Sequence, residues 1–341
     1  MTARDPVADL KRIAFLLEAA LEPTYRVQAF RRAARTLEEL GPDAVAAQAQ
    51  AGTLRELAGI GEVTERTILE SLRDEEPVYL RRLVATGGRP LPEGAAELCS
   101  ALRGDCHIHS DWSDGGSSIR EMAETARDLG REYMALTDHS PRLTVANGLT
   151  RERLERQLEE VGVLNAELAP FRILTGIEVD INEDGTLDQD PSVLARLDVV
   201  VGSVHADLRM EARLMTRRMV AALANPALDI LGHCTGRMKT RRRNRPESQF
   251  DADVVFAAAA RFDKAIEVNS RPERLDPPKR LLRLAVEAGC PIAVDTDAHA
   301  PGQLAWLSNG CERAFLSGAP IGSIVNARSA DELLAWARAH A

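Results

Sequence analysis

Gly104-Asp-Cys-His-Ile-His109, continued by Ser110-Asp-Trp-Ser-Asp114, is the stretch on which the fold turns. It reads as a short strand that ends in histidines, and strand alternation puts His107 and His109 on one face, within reach of a single metal ion. The same arrangement recurs downstream. The run 133–138 leads into Thr137-Asp-His139, and 172–179 carries Gly176-Ile-Glu178-Val-Asp180. The run 198–205 ends in Ser203-Val-His205, 228–233 in Gly232-His233-Cys234, and 291–297 leads into Asp295-Thr-Asp297-Ala-His299. A further run, 265–269, ends without such a residue. Six of the seven histidines terminate predicted strands, and only His340 lies outside the pattern. Amphipathic helical stretches at 119–129, 151–168, 208–224, 251–262 and 279–288 separate these runs. Seven strands alternating with helices imply a parallel α/β sheet, either doubly wound or closed into a barrel. In a barrel the strand ends converge on one face, where active sites are built.

The rest of the composition narrows the class. The chain has 341 residues, 45% apolar and 28% charged, the balance of a globular protein. No run approaches the roughly 20 apolar residues of a membrane span, and Met1-Thr-Ala-Arg-Asp-Pro lacks an apolar signal core, so a cytoplasmic location is expected. Five scattered cysteines without a Cys-x-x-Cys pair argue against a disulfide framework. A net charge of −9 argues against a protein coated in nucleic acid but leaves room for a local basic patch.

Upstream of the strands the texture is helical. Leu10, Ile13, Ala14 and Leu17 recur at helical spacing, as do Val27, Phe30, Ala34 and Leu37. A break at Leu57-Ala-Gly-Ile-Gly61 precedes another helical run to Leu72, and Gly87-Gly-Arg-Pro-Leu-Pro-Glu-Gly94 reads as a linker. The expected organisation is a helical domain over 1–85, a linker over 86–102 and an α/β domain over 103–341.

Imidazole and carboxylate together suit Zn²⁺, Mn²⁺ or iron, and the absence of paired thiolates argues against a structural zinc cage. Nine candidate ligands (His107, His109, Asp114, His139, Glu178, His205, His233, Asp297 and His299) are too many for one ion, which implies a multinuclear site. Cys106 and Cys234 flank ligand histidines and read as buried filler. The run from Arg237 to Arg245 holds six basic residues in nine, with Arg237, Lys239 and Arg241 as candidates for phosphate contact. Arg271 and Arg274, beyond the strand that lacks a ligand, are candidates for substrate contact.

These motifs resemble the polymerase and histidinol phosphatase (PHP) superfamily of metal-dependent phosphoesterases. The resemblance implies a distorted (β/α)₇ TIM-like barrel, with His107, His109, Glu178, His205 and Asp297 as catalytic residues. It implies one metal on His107, His109, Glu178 and Asp297, a second bridged by Glu178 to His205 and His233, and a third on Asp114, His139 and His299. Many family members carry histidine in place of Asp114, and the carboxylate is similar to the branch fused to bacterial family X DNA polymerases. Three divalent ions are expected, Mn²⁺ ahead of Zn²⁺ or Fe²⁺. Amidohydrolases also open with His-x-His, but none of the four lysines here ends a strand to serve as their bridging group.

Tyr25-Arg-Val-Gln-Ala-Phe-Arg-Arg-Ala-Ala34 and Leu54-Arg-Glu-Leu-Ala-Gly-Ile-Gly61 resemble the helix-hairpin-helix domain at the front of family X polymerases. That resemblance implies DNA contact through Gly59 and Gly61, with Arg26, Arg31, Arg32 and Arg35 as a basic face. Glu62 stands where such hairpins often carry a basic residue, and residues 1–100 hold 13 basic against 16 acidic side chains, which argues for weak affinity. Only about 20 residues separate the helical region from the barrel, leaving no space for a nucleotidyl-transfer core. The expected function is therefore hydrolysis of phosphodiesters at DNA ends, such as 3′–5′ exonuclease action, without polymerase activity. A small-molecule phosphomonoesterase of histidinol phosphatase type is the first alternative, and a non-catalytic metal-bound DNA-binding scaffold the second.

Overall fold

Asp5 caps the first helix by accepting the Val7 N–H at 2.9 Å, with Pro6 at its first turn. This computed structural model describes residues 4–87, 90–240 and 244–339, and the chain divides into two compact units at Pro90 and Leu91. The first unit comprises α1 (Pro6–Ala19), α2 (Thr24–Leu40), α3 (Pro42–Ala51), α4 (Glu62–Leu72) and α5 (Val78–Thr86). Leu10, Ile13 and Leu17 of α1 pack with Val27, Phe30 and Leu37 of α2 and Ile68 of α4 in a core of its own. The turn into α4 needs Gly59, whose φ is +84° and where a Cβ would press on the Arg32 side chain of α2. Thr36 Oγ1 donates to Ala58 O at 2.8 Å and so ties that turn to α2.

The second unit begins with α6 (Glu93–Ala101), a nine-residue helix inside the stretch expected as a linker. It starts directly after Pro92 and buries Ala95 and Leu98, and the Phe315 ring occupies the space of a side chain at Gly94. The parallel strands follow: β1 (Gly104–Ile108), α7 (Ile119–Asp128), β2 (Tyr133–Leu136), α8 (Arg151–Leu168), β3 (Arg172–Asp180), α9 (Pro191–Leu194), β4 (Val199–Ser203), α10 (Ala212–Leu223) and β5 (Ile230–Leu231). Then come a small hairpin, β6 (Met238–Lys239) with β7 (Asn244–Arg245), and α11 (Ala252–Arg261), β8 (Ala265–Asn269), α12 (Lys279–Glu287), β9 (Ile292–Asp295), α13 (Leu307–Leu316) and α14 (Ala330–Arg338).

Seven of these strands form one parallel sheet in the order β1-β2-β3-β4-β5-β8-β9, so each new strand joins its predecessor. The sheet curls until the end of β1 and the segment just after β9 meet at a parallel bridge, Ile108 to Ala298, making a nearly closed barrel. Below that bridge side chains replace the ladder. Asp295 Oδ1 accepts Cys106 N–H at 2.7 Å, Asp105 Oδ2 accepts Thr296 Oγ1–H at 2.5 Å, and Asn326 Nδ2 donates to Gly104 O at 3.1 Å. Val199, Ala265 and other strand-start residues pack with Leu333 and Trp336 of α14 at the end opposite the histidines.

Two local departures from the sequence reading have clear causes. The helix expected from residue 208 starts at Ala212, because the Glu211 carboxylate caps it by accepting from Arg213 N and Leu214 N. The basic run 237–245 holds the β6–β7 hairpin, which Lys239 N–H anchors to Glu273 O at 2.6 Å.

Candidate metal centre

All nine predicted ligands gather at the carboxyl ends of the strands. Glu178, near the end of β3, stands at their centre. Its Oε2 lies 3.3 Å from His107 Nε2, 3.6 Å from His109 Nε2 and 2.9 Å from His139 Nδ1. Its Oε1 faces the other side, 3.3 Å from His205 Nε2 and 2.9 Å from His233 Nε2. Asp297 Oδ1 is 3.4 Å from His109 Nε2, and Asp114 Oδ1 is 3.5 Å from His139 Nε2 and 3.3 Å from His299 Nε2. Three groupings have ligand atoms mutually within 4.8 Å: His109-Asp114-His139-His299, His107-His109-Asp297 and His139-Glu178-His205.

The electrostatics follow from this crowding. Burial on its own would raise the Glu178 pKa, but the imidazoles of His107, His139 and His205 hold it well below the carboxylate range. Burial likewise opposes ionisation of Asp297, but the Arg274 guanidinium together with the imidazoles of His109, His107 and His299 holds it well below the carboxylate range. Burial and the neighbouring His299 and His139 push His109 down to about 3, so its ring stays neutral. His205 rises to about 9, since the attraction of Glu178 and Asp180 exceeds its desolvation. Buried nitrogens of His107, His109, His139 and His205, and Glu178 Oε2, have no hydrogen-bond partner among the described residues. Orphaned lone pairs on buried side chains are the mark of atoms meant for cations, and imidazole with carboxylate is a donor set for Zn²⁺, Mn²⁺ or Fe²⁺.

Surrounding groups hold these ligands, and the sequence reading passed over most of them. Glu267 in β8 places Oε1 2.5 Å from His107 Nδ1. Asp138 accepts from Ser110 N (2.8 Å), Ser110 Oγ (2.6 Å), Ser113 Oγ (2.5 Å) and Gln157 Nε2 (2.6 Å), fixing the loop that presents Asp114. Asp180 Oδ1 accepts the His205 N–H at 3.1 Å. Asp276 accepts from Thr235 N, Thr235 Oγ1 and Arg237 N, welding the loop after His233 to the loop after β8. A charged residue inside a strand buried on both faces was the available signal for Glu267.

The predicted cations fare differently. Arg274 reaches the cluster, with Nε 3.1 Å from Asp297 Oδ2 and a buried Nη1 that has no hydrogen-bond partner among the described residues. Arg271 stays outside, paired with Glu273 at 3.4 Å and lying over the Trp306 ring. Arg237 bonds Arg274 O at 2.8 Å, and with exposed Lys239 it lines a groove that Arg245 and Glu247 complete. Arg241 lies outside the described residues. Lys264 sits at the amino end of β8, its Nζ donating to Pro226 O at 3.1 Å, far from any bridging role. Cys106 and Cys234 are buried, and desolvation drives both thiols well up, in keeping with filler.

In the helical unit, Arg26 pairs with Glu22 at 2.8 Å and Arg31 with Glu18 at 3.0 Å. Arg32 and Arg35 are exposed on α2, Arg32 beside Gly59, and hold no ion pair among the described residues. The Gly61 N–H is engaged by Thr64 Oγ1 at 2.9 Å.

A nearly closed parallel barrel whose strand ends assemble six imidazoles and three carboxylates defines a metal-dependent barrel hydrolase. Residues 105–271 match the PHP domain family and residues 1–77 a helix-hairpin-helix domain family. The chain is 42% identical over 235 residues to the DNA polymerase/3′-5′ exonuclease PolX of Bacillus subtilis (strain 168), an alignment covering 69% of this chain and 41% of that protein. It is 31% identical over 207 residues to a probable phosphatase of Thermoanaerobacter sp. (strain X514), covering 57% of this chain and 78% of that one. The crystal structure of a histidinol phosphate phosphatase from Lactococcus lactis subsp. lactis Il1403 aligns with 20% identity and a TM-score of 0.44, over 64% of this chain and 94% of that chain. The chain belongs to the PHP family and is a phosphoesterase, a hydrolase of phosphoester bonds with a metal-binding site. No helix among the described residues is long and apolar enough to cross a membrane.

Proposed function

We propose that this protein hydrolyses phosphodiester bonds at DNA ends, as a 3′–5′ exonuclease or 3′-end processing enzyme, without polymerase activity. The observation that carries the reading is the pairing, in one chain, of a helix-hairpin-helix unit with a full set of clustered ligands. The first set, in this reading, is His107, His109, Glu178 and Asp297. Glu178 also serves the second with His205 and His233, and Asp114, His139 and His299 make the third. Ions held there, Mn²⁺ foremost, would supply Lewis acidity at the phosphoryl oxygens and a water deprotonated near neutral pH.

The chain's own residues do the rest. Glu178, ionised and turned to both sets of imidazoles, keeps them in one constellation. Arg274, beside Asp297 and with a buried guanidinium N–H that has no hydrogen-bond partner among the described residues, meets a non-bridging phosphoryl oxygen. Arg237 and Lys239 line the adjoining groove and take the flanking phosphates, and Arg271 meets substrate only by leaving Glu273 and the Trp306 ring. In the helical unit, Arg32 and Arg35 beside the Gly59 turn are the contacts for a DNA backbone. Arg26 and Arg31 reach it only by giving up their acidic partners.

The test is Mn²⁺-dependent turnover of a 3′-labelled DNA strand beside p-nitrophenyl phosphate, with His107→Ala as control. Release of single nucleotides far faster than the monoester, absent in the variant, is the expected result. Turnover of the monoester alone would replace this reading with a metabolite phosphatase.

A further inference from the structure

The one barrel strand that contributes none of the nine clustered residues carries a carboxylate in its middle. Glu267 of β8 is fully buried between Ile266 and Val268, in an environment that no charge enters without partners. Its partners are specific. Oε1 lies 2.5 Å from His107 Nδ1, while Oε2 accepts the His233 backbone N–H and lies 3.3 Å from Asn269 Nδ2. Asn269 Nδ2 in turn lies 3.1 Å from Asp297 Oδ2. His107 faces one oxygen of Glu178 and His233 the other, so a single carboxylate grips one residue on each side of the central glutamate.

We propose that Glu267 is a positioning residue that holds the His107 proton on Nδ1, leaving the Nε2 lone pair for a metal ion, and sets the place of His233 at the same time. Chemistry requires an acceptor at both oxygens. A ring N–H and a backbone N–H converge on Glu267, and glutamine in its place would turn an NH₂ toward one of them, leaving two donors face to face. A carboxylate on the far nitrogen of a ligating imidazole fixes its tautomer and raises its basicity, and loss of such a partner typically weakens metal binding about 10- to 100-fold.

Zn²⁺ affinity of the full chain, measured by chelator competition for the native protein and Glu267→Gln, tests this. The expected result is weaker binding by about 10- to 100-fold at one or more sites, in a variant that still unfolds cooperatively. Ring ¹⁵N NMR of the native Zn²⁺-loaded protein needs no variant and should show His107 protonated on Nδ1. Native Zn²⁺ affinity in Glu267→Gln, or a His107 proton on Nε2, would overturn the proposal. It rests on the metal-holding reading of the cluster. A native chain that binds no Zn²⁺ would remove both, whereas tight native binding left unchanged by Glu267→Gln would remove this proposal alone.

Discussion

Asp297 has a φ of +53°, in the left-handed region that aspartate tolerates better than bulkier residues. The turn lets one carboxylate serve two sides, with Oδ1 toward His109 and His299 and Oδ2 toward Arg274 and Asn269. Asp297→Ala, like His107→Ala, should therefore bring hydrolysis of p-nitrophenyl phosphate and DNA to background, and substantial turnover in either variant would contradict the assigned ligands. Arg274→Ala should lower kcat by about 10²-fold, the usual loss of one charge-stabilising donor, while the metal content measured by elemental analysis stays native. Burial depresses Lys264 to about 8 from the ordinary 10.5, because its ammonium has left water. Below pH 8 the charged folded form is penalised relative to the unfolded chain, and the penalty fades as pH rises toward 10.5. The melting temperature of the native protein should accordingly gain on that of Lys264→Met between pH 7.5 and 10, and parallel curves would refute the shift. Legibility at this scale tracked abundance. With only seven histidines, six at strand ends were informative, whereas Glu267 and Asp138 were lost among 52 acidic residues.

Among the elements, the strands supply direction and the segments beyond them supply position. Arg218 of α10, fully buried, donates Nε to Ile181 O at 3.0 Å and Nη1 to Ala206 O at 3.1 Å, the carbonyls directly after Asp180 and His205. One guanidinium thus fixes the exits of β3 and β4. Arg218→Met keeps much of the side-chain volume and strands the buried Ile181 carbonyl, with Ala206 O only half-buried, so urea denaturation should show a loss of about 1–3 kcal/mol for the unsatisfied group, with activity falling as His205 loosens. Unchanged stability would show the Ile181 carbonyl satisfied by other means. The alternating strands and helices were readable because parallel strands buried on both faces are short apolar runs. Helix α6 was hidden by the proline and glycines at its start, and β6–β7 by a charge pattern that resembles any exposed loop. The fifth strand pairs only at Ile230 and Leu231, so His233 sits two residues beyond it, placed by Glu267 rather than by the ladder.

For the molecule as a whole, the division of labour follows from two separate cores. The helical unit buries its apolar face within itself, so the barrel should fold without it. A chain lacking residues 1–85 should keep its turnover of p-nitrophenyl phosphate and lose rate on DNA, and equal losses on both would argue against a DNA role for the unit. The barrel class was open between two architectures from the strand pattern alone. What closes it, the Asp105, Asp295 and Asn326 contacts between β1 and β9, joins residues up to 222 positions apart and leaves no local periodicity. That seam has a further consequence. His107 and His109 belong to its first edge and Asp297 and His299 to its last, so the site straddles the place where the cylinder is least continuous. Whatever cation settles between them acts as a clasp, and the amides of β1 and β9 are where hydrogen exchange should quieten most when the clasp is fastened.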